Sequence, residues 1–242
     1  MMLDRMVLTQ PVCRPFNRAD IPAVLEITRH TWDGRDYVPL LLERWLADSS
    51  GWMFTAELSS EPVGIVKLSL LGEKQWWMEG LRVNPSIHNR GIGKHLLYYA
   101  LVFWRSHLTG TLRLLTGEKN TTSQHLADLS GFVLQEKLHL YTAQAGIGSP
   151  SNLRQARASD LNRLTQKSNT VENPFSLSPY LDSGWAFNTD DLATITSAIQ
   201  SGLLWMAEDT PDWIILHENP VGEPKQGILQ AGWNGCLWKP ER

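Results

Sequence analysis

A carboxylate, three glycines and three cations stand close together in the run Met78-Glu79-Gly80-Leu81-Arg82-Val83-Asn84-Pro85-Ser86-Ile87-His88-Asn89-Arg90-Gly91-Ile92-Gly93-Lys94. Gly91 and Gly93 let a backbone approach a ligand, and the unpaired N–H groups of a helix start bind anions. Arg90 and Lys94 add charge suited to phosphate. Spacing excludes two common phosphate motifs. A Walker loop needs Gly-x4-Gly-Lys-Ser/Thr, but His88 stands five before Gly93 and His95 follows Lys94. A dinucleotide fingerprint needs a small residue three after Gly93, and that residue is Leu96. A bare Gly-x-Gly also fits a tight strand-to-helix turn that holds nothing.

Glu79 lies among Trp77, Met78 and Leu81. A charge in such company is costly to keep for packing alone, and a carboxylate there can accept a proton from an amine. Asp33, Asp36 and Tyr37 fall on a polar, glycine-containing stretch, where they can hold a small molecule or simply be solvated. Trp76 and Trp77 must face opposite sides of a strand, so one belongs to the core and Trp77 is the candidate for a cleft. The seven histidines show no metal-ligand spacing, so no metal site is expected.

The elements that must position these groups follow from periodicity. Val12 to Phe16 reads as a strand, and a helix begins between Asn17 and Asp20 with Ile21, Val24, Leu25 and Thr28 facing inward. A second helix starts near Pro39 with Leu41, Leu42, Trp45 and Leu46. Three meandering strands are expected over 52–56, 63–70 and 76–83. After the glycines, Ile92, Leu96, Leu97, Ala100, Leu101 and Trp104 recur at helical spacing. A strand over 112–115, a short helix over 123–129 and a strand or hairpin over 132–141 complete the series.

Ala143 to Asn152 has linker composition, and the chain's start then recurs weakly. Arg14 and Asp20 match Arg154 and Asp160 at one offset. A helix over 190–201 and strands over 205–208 and 213–216 follow. Leu192, Ile195, Ile199, Leu203, Trp205, Trp213 and Ile214 need burial, and the first domain is the nearest surface for them. Two domains are therefore expected, 11–148 and 153–242.

Residues 12 to 141 resemble the GNAT acyltransferase superfamily in element order, in the Gln/Arg-x-x-Gly-x-Gly/Ala loop after Glu-x-x-x-Val, and in the late Asn120 … Gly131-Phe132 spacing. The resemblance implies an α/β (α+β) GNAT fold with a mixed central sheet and flanking helices, plus a smaller C-terminal α/β segment. It implies acetyl-CoA as cofactor, with Glu79 as general base. The backbone of Leu81 and Val83 would pair with the pantetheine arm, and the amides of Asn89, Arg90, Gly91, Ile92, Gly93 and Lys94 would cradle the pyrophosphate. Arg82, His88 and Asn120 complete the implied cofactor set, and Asp33, Asp36, Tyr37 and Trp77 the acceptor set. His88 stands where the family usually has Gln or Arg. Ala127 stands where many members carry a Tyr that protonates the leaving thiolate, which leaves Tyr37 and His125 as substitutes. Trp32 to Pro39, Trp45-Leu46 and Glu79 to Val83, with Trp185 … Trp205 in the tail, resemble the histidine N-acetyltransferase branch. The tail would then be a degenerate acyltransferase-like half without a second CoA loop.

The bulk composition agrees. The chain has 242 residues, 42% hydrophobic and 19% charged, with a net charge of −3, which gives no reason to expect nucleic acid or an anionic membrane as partner. Cys13 and Cys236 read as free thiols of a reducing compartment. No signal-peptide pattern and no apolar stretch of about 18 residues is present, so a cytoplasmic protein without a membrane span is expected, as monomer or homodimer. The leading function is acetyl transfer to the amine of a small molecule such as an amino acid. The rivals are a protein N-terminal or lysine acetyltransferase and a catalytically silent acyl-CoA-binding module.

Overall fold

The computed structural model describes residues 10–34, 36–140, 152–165, 180–182, 187–189, 192–208, 213–215 and 233–240. Residues 143–151 of the expected linker and Trp185 lie outside them. In chain order the first elements are β1 (Val12–Pro15), α1 (Ile21–Arg29), α2 (Val38–Ala47), β2 (Trp52–Leu58), β3 (Glu61–Gly72), β4 (Gln75–Val83), α3 (Ile92–His107), β5 (Thr111–Gly117), α4 (Thr121–Leu129) and β6 (Phe132–Leu140). They match the expected order, with boundaries moved by a few residues. Asn17 starts the helical turn before α1, accepting from the Ala19 N–H at 2.8 Å. Pro22 falls in the first turn of α1, where its missing N–H costs nothing. Val24, Ile27 and Thr28 are the buried face of α1, whereas Leu25, expected inside, is exposed.

The second group comprises β7 (Leu153–Gln155), α5 (Leu161–Thr165), β8 (Tyr180–Asp182), β9 (Phe187–Thr189), α6 (Leu192–Gln200), β10 (Leu204–Ala207) and β11 (Trp213–Ile215), and the last strand is β12 (Trp233–Pro240). Two compact units result: residues 1–137 with 234–242, and residues 138–233. This differs from a boundary near 150 followed by one continuous tail. The sheet of the first unit runs β1-β2-β3-β4-β5-β12-β6, so the last strand of the chain lies between β5 and β6. β12 runs antiparallel to β5, pairing Gly235 with Gly117 through Trp238 with Leu114. The second unit is thus inserted between two strands of the first.

All six predicted apolar positions of α3 are buried, packed on one sheet face with Phe54, Val66, Leu68, Trp76 and Met78. Inside the second unit, Ile195, Leu204 and Met206 form a separate cluster with Ala156, Leu164 and Ala198. Of the tail's apolar residues named from the sequence, Ile195 is buried in this cluster and Ile199 packs against it.

The weak sequence repeat is a repeated structure. Arg14 grips Asp20 through two nitrogens at 2.9 and 2.7 Å, and the Asn17 N–H donates to Asp20 Oδ2 at 2.9 Å. Arg154 grips Asp160 at 2.7 Å through each nitrogen, and the Arg157 N–H donates to Asp160 Oδ2 at 2.8 Å. β1 pairs antiparallel with β2 and β2 with β3; β7 pairs antiparallel with β10 and β10 with β11. Arg14 faces Thr55, Arg154 faces Met206, and an acidic residue two places on, Glu57 or Glu208, attracts each arginine.

Candidate active site

β4 carries the site, and an irregularity in it decides which side chains meet. Lys67 pairs with Glu79 and Ile65 with Arg82, so β4 holds one more residue than β3 between those pairs. This is a β-bulge at Gly80-Leu81, and Gly80 has φ +66°. A Cβ on Gly80 would come within 2.5 Å of the Trp45 ring, so both the backbone and α2 demand glycine there. After the bulge Leu81 and Val83 pack against the α3-side core. Arg82 turns instead toward the loop before α2.

That loop closes on Arg82. Its guanidinium donates to Asp36 Oδ2 at 2.8 Å and Oδ1 at 3.0 Å, and to the Leu81 carbonyl at 3.0 Å. Its Cζ lies 4.4 Å from the Trp32 ring centroid and 5.1 Å from that of Tyr37. Burial pulls the Arg82 pKa down, but Asp36 and Tyr37 more than offset it and hold it raised. Asp36 also accepts from the Val38 N–H at 3.0 Å at the start of α2. Expected as an acceptor ligand, Asp36 is a buried clamp whose charge Arg82 balances, because two charges this far from water must satisfy each other. Asp36→Ala should therefore cost roughly 3 kcal/mol in a denaturant titration, chiefly by stranding the Arg82 charge.

Trp77, expected to line the cleft, is buried as well. It is 2% exposed on the face opposite Trp76, so it packs and offers no surface to an acceptor. Trp76 binds the Thr109 carbonyl through Nε1 at 3.0 Å on the α3 side. Tyr37 stays beside the site at 6.4 Å from Trp45, centroid to centroid, and burial raises its hydroxyl pKa. The side chain of Asp33 lies outside the described residues. Ala127 is fully buried in the α3-side core, so α4 presents no phenol there.

Glu79 sits before the bulge and is half-buried. The Ser69 hydroxyl donates to Glu79 Oε1 at 2.5 Å. Burial raises the Glu79 pKa above the ordinary carboxylate value, while Ser69, Lys67 and Arg44 work in the opposite direction. Lys67, 1% exposed, binds Asp48 Oδ2 at 2.5 Å. Sequence reading passed over Lys67 and Ser69. The available signal was two polar residues in alternate positions of the otherwise apolar run Val63 to Leu70.

Toward the loop, the ladder from β4 to β5 stops at Met78↔Leu114, although β4 runs on to Val83 and β5 to Gly117. Beyond it, Glu79 to Val83 has no strand partner on the β5 side among the described residues. Asn89 at φ +62° and Gly91 at φ +75° then turn the chain into α3. The His95 N–H is bonded to Gly91 O at 3.0 Å, so the amides of Ile92, Gly93 and Lys94 precede the first closed turn and have no intrahelical acceptor. The side chains of Arg90 and Lys94 are exposed beside them. His88 folds back, with Nε2 3.0 Å from the Val83 carbonyl, and so sits on the strand edge instead of over the loop. Asn120 caps α4, accepting from the Ser123 N–H at 3.1 Å, which commits its side-chain oxygen.

An unpaired strand edge that leads into a cationic helix start can take an extended chain ending in phosphates, with a carboxylate beside it. Residues 21–132 match the model of the acetyltransferase (GNAT) family. This part of the chain is similar to the GNAT acetyltransferases. No curated protein matches the chain by sequence. Among solved structures, an acetyltransferase-like protein from Thermoplasma acidophilum is 18% identical and shares the fold, with a TM-score of 0.62 over 96% of this chain and 100% of its own. A ribosomal-protein-alanine N-acetyltransferase from Brucella melitensis is 21% identical over 53% of this chain and 88% of its own, at TM-score 0.46. A spermidine N-acetyltransferase chimera from Vibrio cholerae and hSSAT is 18% identical over 54% of this chain and 84% of its own, at 0.47. Among the described residues, no helix is long and apolar enough to cross a membrane. Nor do they contain a group of three or more His, Cys, Asp or Glu placed to hold a metal ion.

Proposed function

We propose that the protein moves the acetyl group of acetyl-CoA to the amine of a small molecule, with Glu79 as the general base. The observation that carries this reading is Gly93. Its backbone is in an ordinary helical range, and an added Cβ would meet only Val83 and Leu126 at 3.5 and 3.6 Å, which is normal contact. The fold itself therefore has no use for glycine there, and glycine in a helix is about 0.5–1 kcal/mol worse than alanine. Close approach of a ligand is the remaining reason for it. The acetyl-CoA phosphates would lie on the amides of Asn89 to Lys94, and the pantetheine arm along the Leu81 and Val83 backbone. When bound, the thioester supplies an activated acetyl carbonyl. Glu79 takes the acceptor ammonium's proton, directly or through water, which leaves the amine nucleophilic. Tyr37 is the candidate for protonating the leaving thiolate, since Ala127 cannot.

The branch assignment is supported by one contact. The two short stretches resembling histidine N-acetyltransferases, Trp32 to Pro39 and Glu79 to Val83, are joined by Asp36 and Arg82. With Asp36 neutralised, Glu79 is the principal carboxylate we assign to the acceptor's amine. The repeated Arg–Asp clasp, strand order and register favour reading the second unit as a degenerate acyltransferase-like half.

Gly93→Ala should raise the melting temperature of the free protein and weaken acetyl-CoA binding in calorimetry. Gly93→Asp should nearly abolish binding while leaving the protein folded. Undiminished affinity in both would remove the cofactor placement. Thiol release with free amino acids, polyamines and peptides should be fastest with a free small amine. Faster turnover with peptides would make the acceptor a protein, and binding without release would make the protein an acyl-CoA-binding module.

A further inference from the structure

Beneath the site, on the sheet face opposite the α3-side core, Glu79 is one member of a buried charged group that the acetyl-transfer scheme does not use. Lys67 lies directly across the strand pair from Glu79, a position that brings side chains about 5 Å apart at their Cβ atoms. The Lys67 ammonium is held by Asp48 at the end of α2, at 2.5 Å, and Ser69 holds Glu79 from the same strand as Lys67. Asp48 is itself fixed, accepting from the Ser50 hydroxyl at 2.6 Å and from the Ser50 and Gly51 N–H groups at 3.0 and 3.1 Å. Room for the ammonium depends on Gly51, because a Cβ there would nearly coincide with Lys67 Nζ, at 1.9 Å.

We infer that Lys67 is a positioning residue for Glu79, a single buried ammonium shared by two carboxylates, which keeps Glu79 ionised to the extent that Asp48 leaves its charge uncompensated. The inference rests on the reading of Glu79 as the base, and it names the groups that tune that base. The charged and titratable neighbours are Lys67 on β3, Arg44 and Asp48 from α2 and its end, and Tyr37 from the preceding loop. Burial disfavours the Glu79 carboxylate, whereas Lys67, Arg44 and the Ser69 hydroxyl favour it and Asp48 opposes it. On Asp48, burial is outweighed by Lys67 and Ser50, and its pKa is held low. Without a cation beside it, burial would raise the Glu79 pKa further and leave a smaller fraction of the carboxylate ionised to accept a proton.

Opposite signs test this. In protein labelled with ¹³C at the glutamate carboxyl carbon, the Glu79 signal is the one missing from Glu79→Gln, and its titration is followed in the free protein. Lys67→Met should raise its midpoint by about one pH unit or more. Asp48→Asn should lower it, because the ammonium then serves Glu79 alone. Lys67→Arg should restore most of the native midpoint. A purely structural lysine predicts no such pair of opposite shifts. If Lys67→Met does not fold, as judged by near-ultraviolet circular dichroism, Asp48→Asn alone decides. A midpoint unchanged or raised in Asp48→Asn, or unchanged in a folded Lys67→Met, overturns the inference. No donor or acceptor is present, so the result is independent of whether Glu79 is the base, which the pH dependence of turnover decides.

Discussion

Replacing Glu79 with Gln should lower kcat roughly 10²–10⁴-fold at neutral pH and leave acetyl-CoA affinity nearly unchanged. The carboxylate works only when ionised, and burial raises its pKa above the ordinary value. Native activity should accordingly fall as the pH is lowered through that raised pKa. The same shift acts on stability with the opposite sense. The folded state binds more protons than the unfolded state between the unperturbed and the raised pKa, so this group's contribution declines as pH rises through that window. Glu79 thus sits where it costs stability in order to be a stronger base. In Glu79→Gln the acid limb should vanish, and rates should recover in part at high pH, where the amine loses its proton unaided. Steady-state rates across the pH range check this. A variant with native rates throughout would place the base elsewhere.

Removing residues 233–242 should unfold the first unit, although every residue of the proposed site would remain. β12 lines the β5 edge from Leu114 to Gly117 and stands between β5 and β6 in the sheet. Its loss would leave backbone donors and acceptors unpaired along an interior strand, at about 1–3 kcal/mol for each group that stays buried. Several such losses equal a large part of a typical domain's 5–15 kcal/mol. The shortened protein should aggregate or lose its cooperative melting transition, and a peptide of residues 231–242 added during refolding should partly restore it. A chain ending near residue 149 should fail in the same way, for want of the strand. A soluble shortened protein with a native melting temperature would show that β5 and β6 manage without it.

Local chemistry made much of this protein legible in its sequence. Apolar spacing placed α3 and all six of its core positions, because helix burial repeats every few residues whatever lies opposite. The turn from Asn89 into the helix could be read from its glycines, and the backbone makes it with Asn89 and Gly91 at positive φ. Glu79 drew attention as a charge among apolar neighbours. The repeat of Arg14 and Asp20 in Arg154 and Asp160 was visible as two matched residues, and its geometry later proved to be a clasp.

What remained depended on which residues meet across distance. A one-residue bulge at Gly80 reverses the alternation of β4, so no count by twos could foresee that Arg82 would face Asp36 and that Leu81 would face the core. Asp36 looked like a ligand for an amine because its partner lies 46 positions away. Trp77 looked like a cleft residue because alternation separates two sheet faces without saying that both are buried. Lys67 and Asp48 were silent until strand register placed the ammonium opposite Glu79. The insertion of β12 between β5 and β6 was beyond reach for the same reason: strand pairing is a nonlocal choice among edges, and the sequence of one strand carries no address for its neighbour.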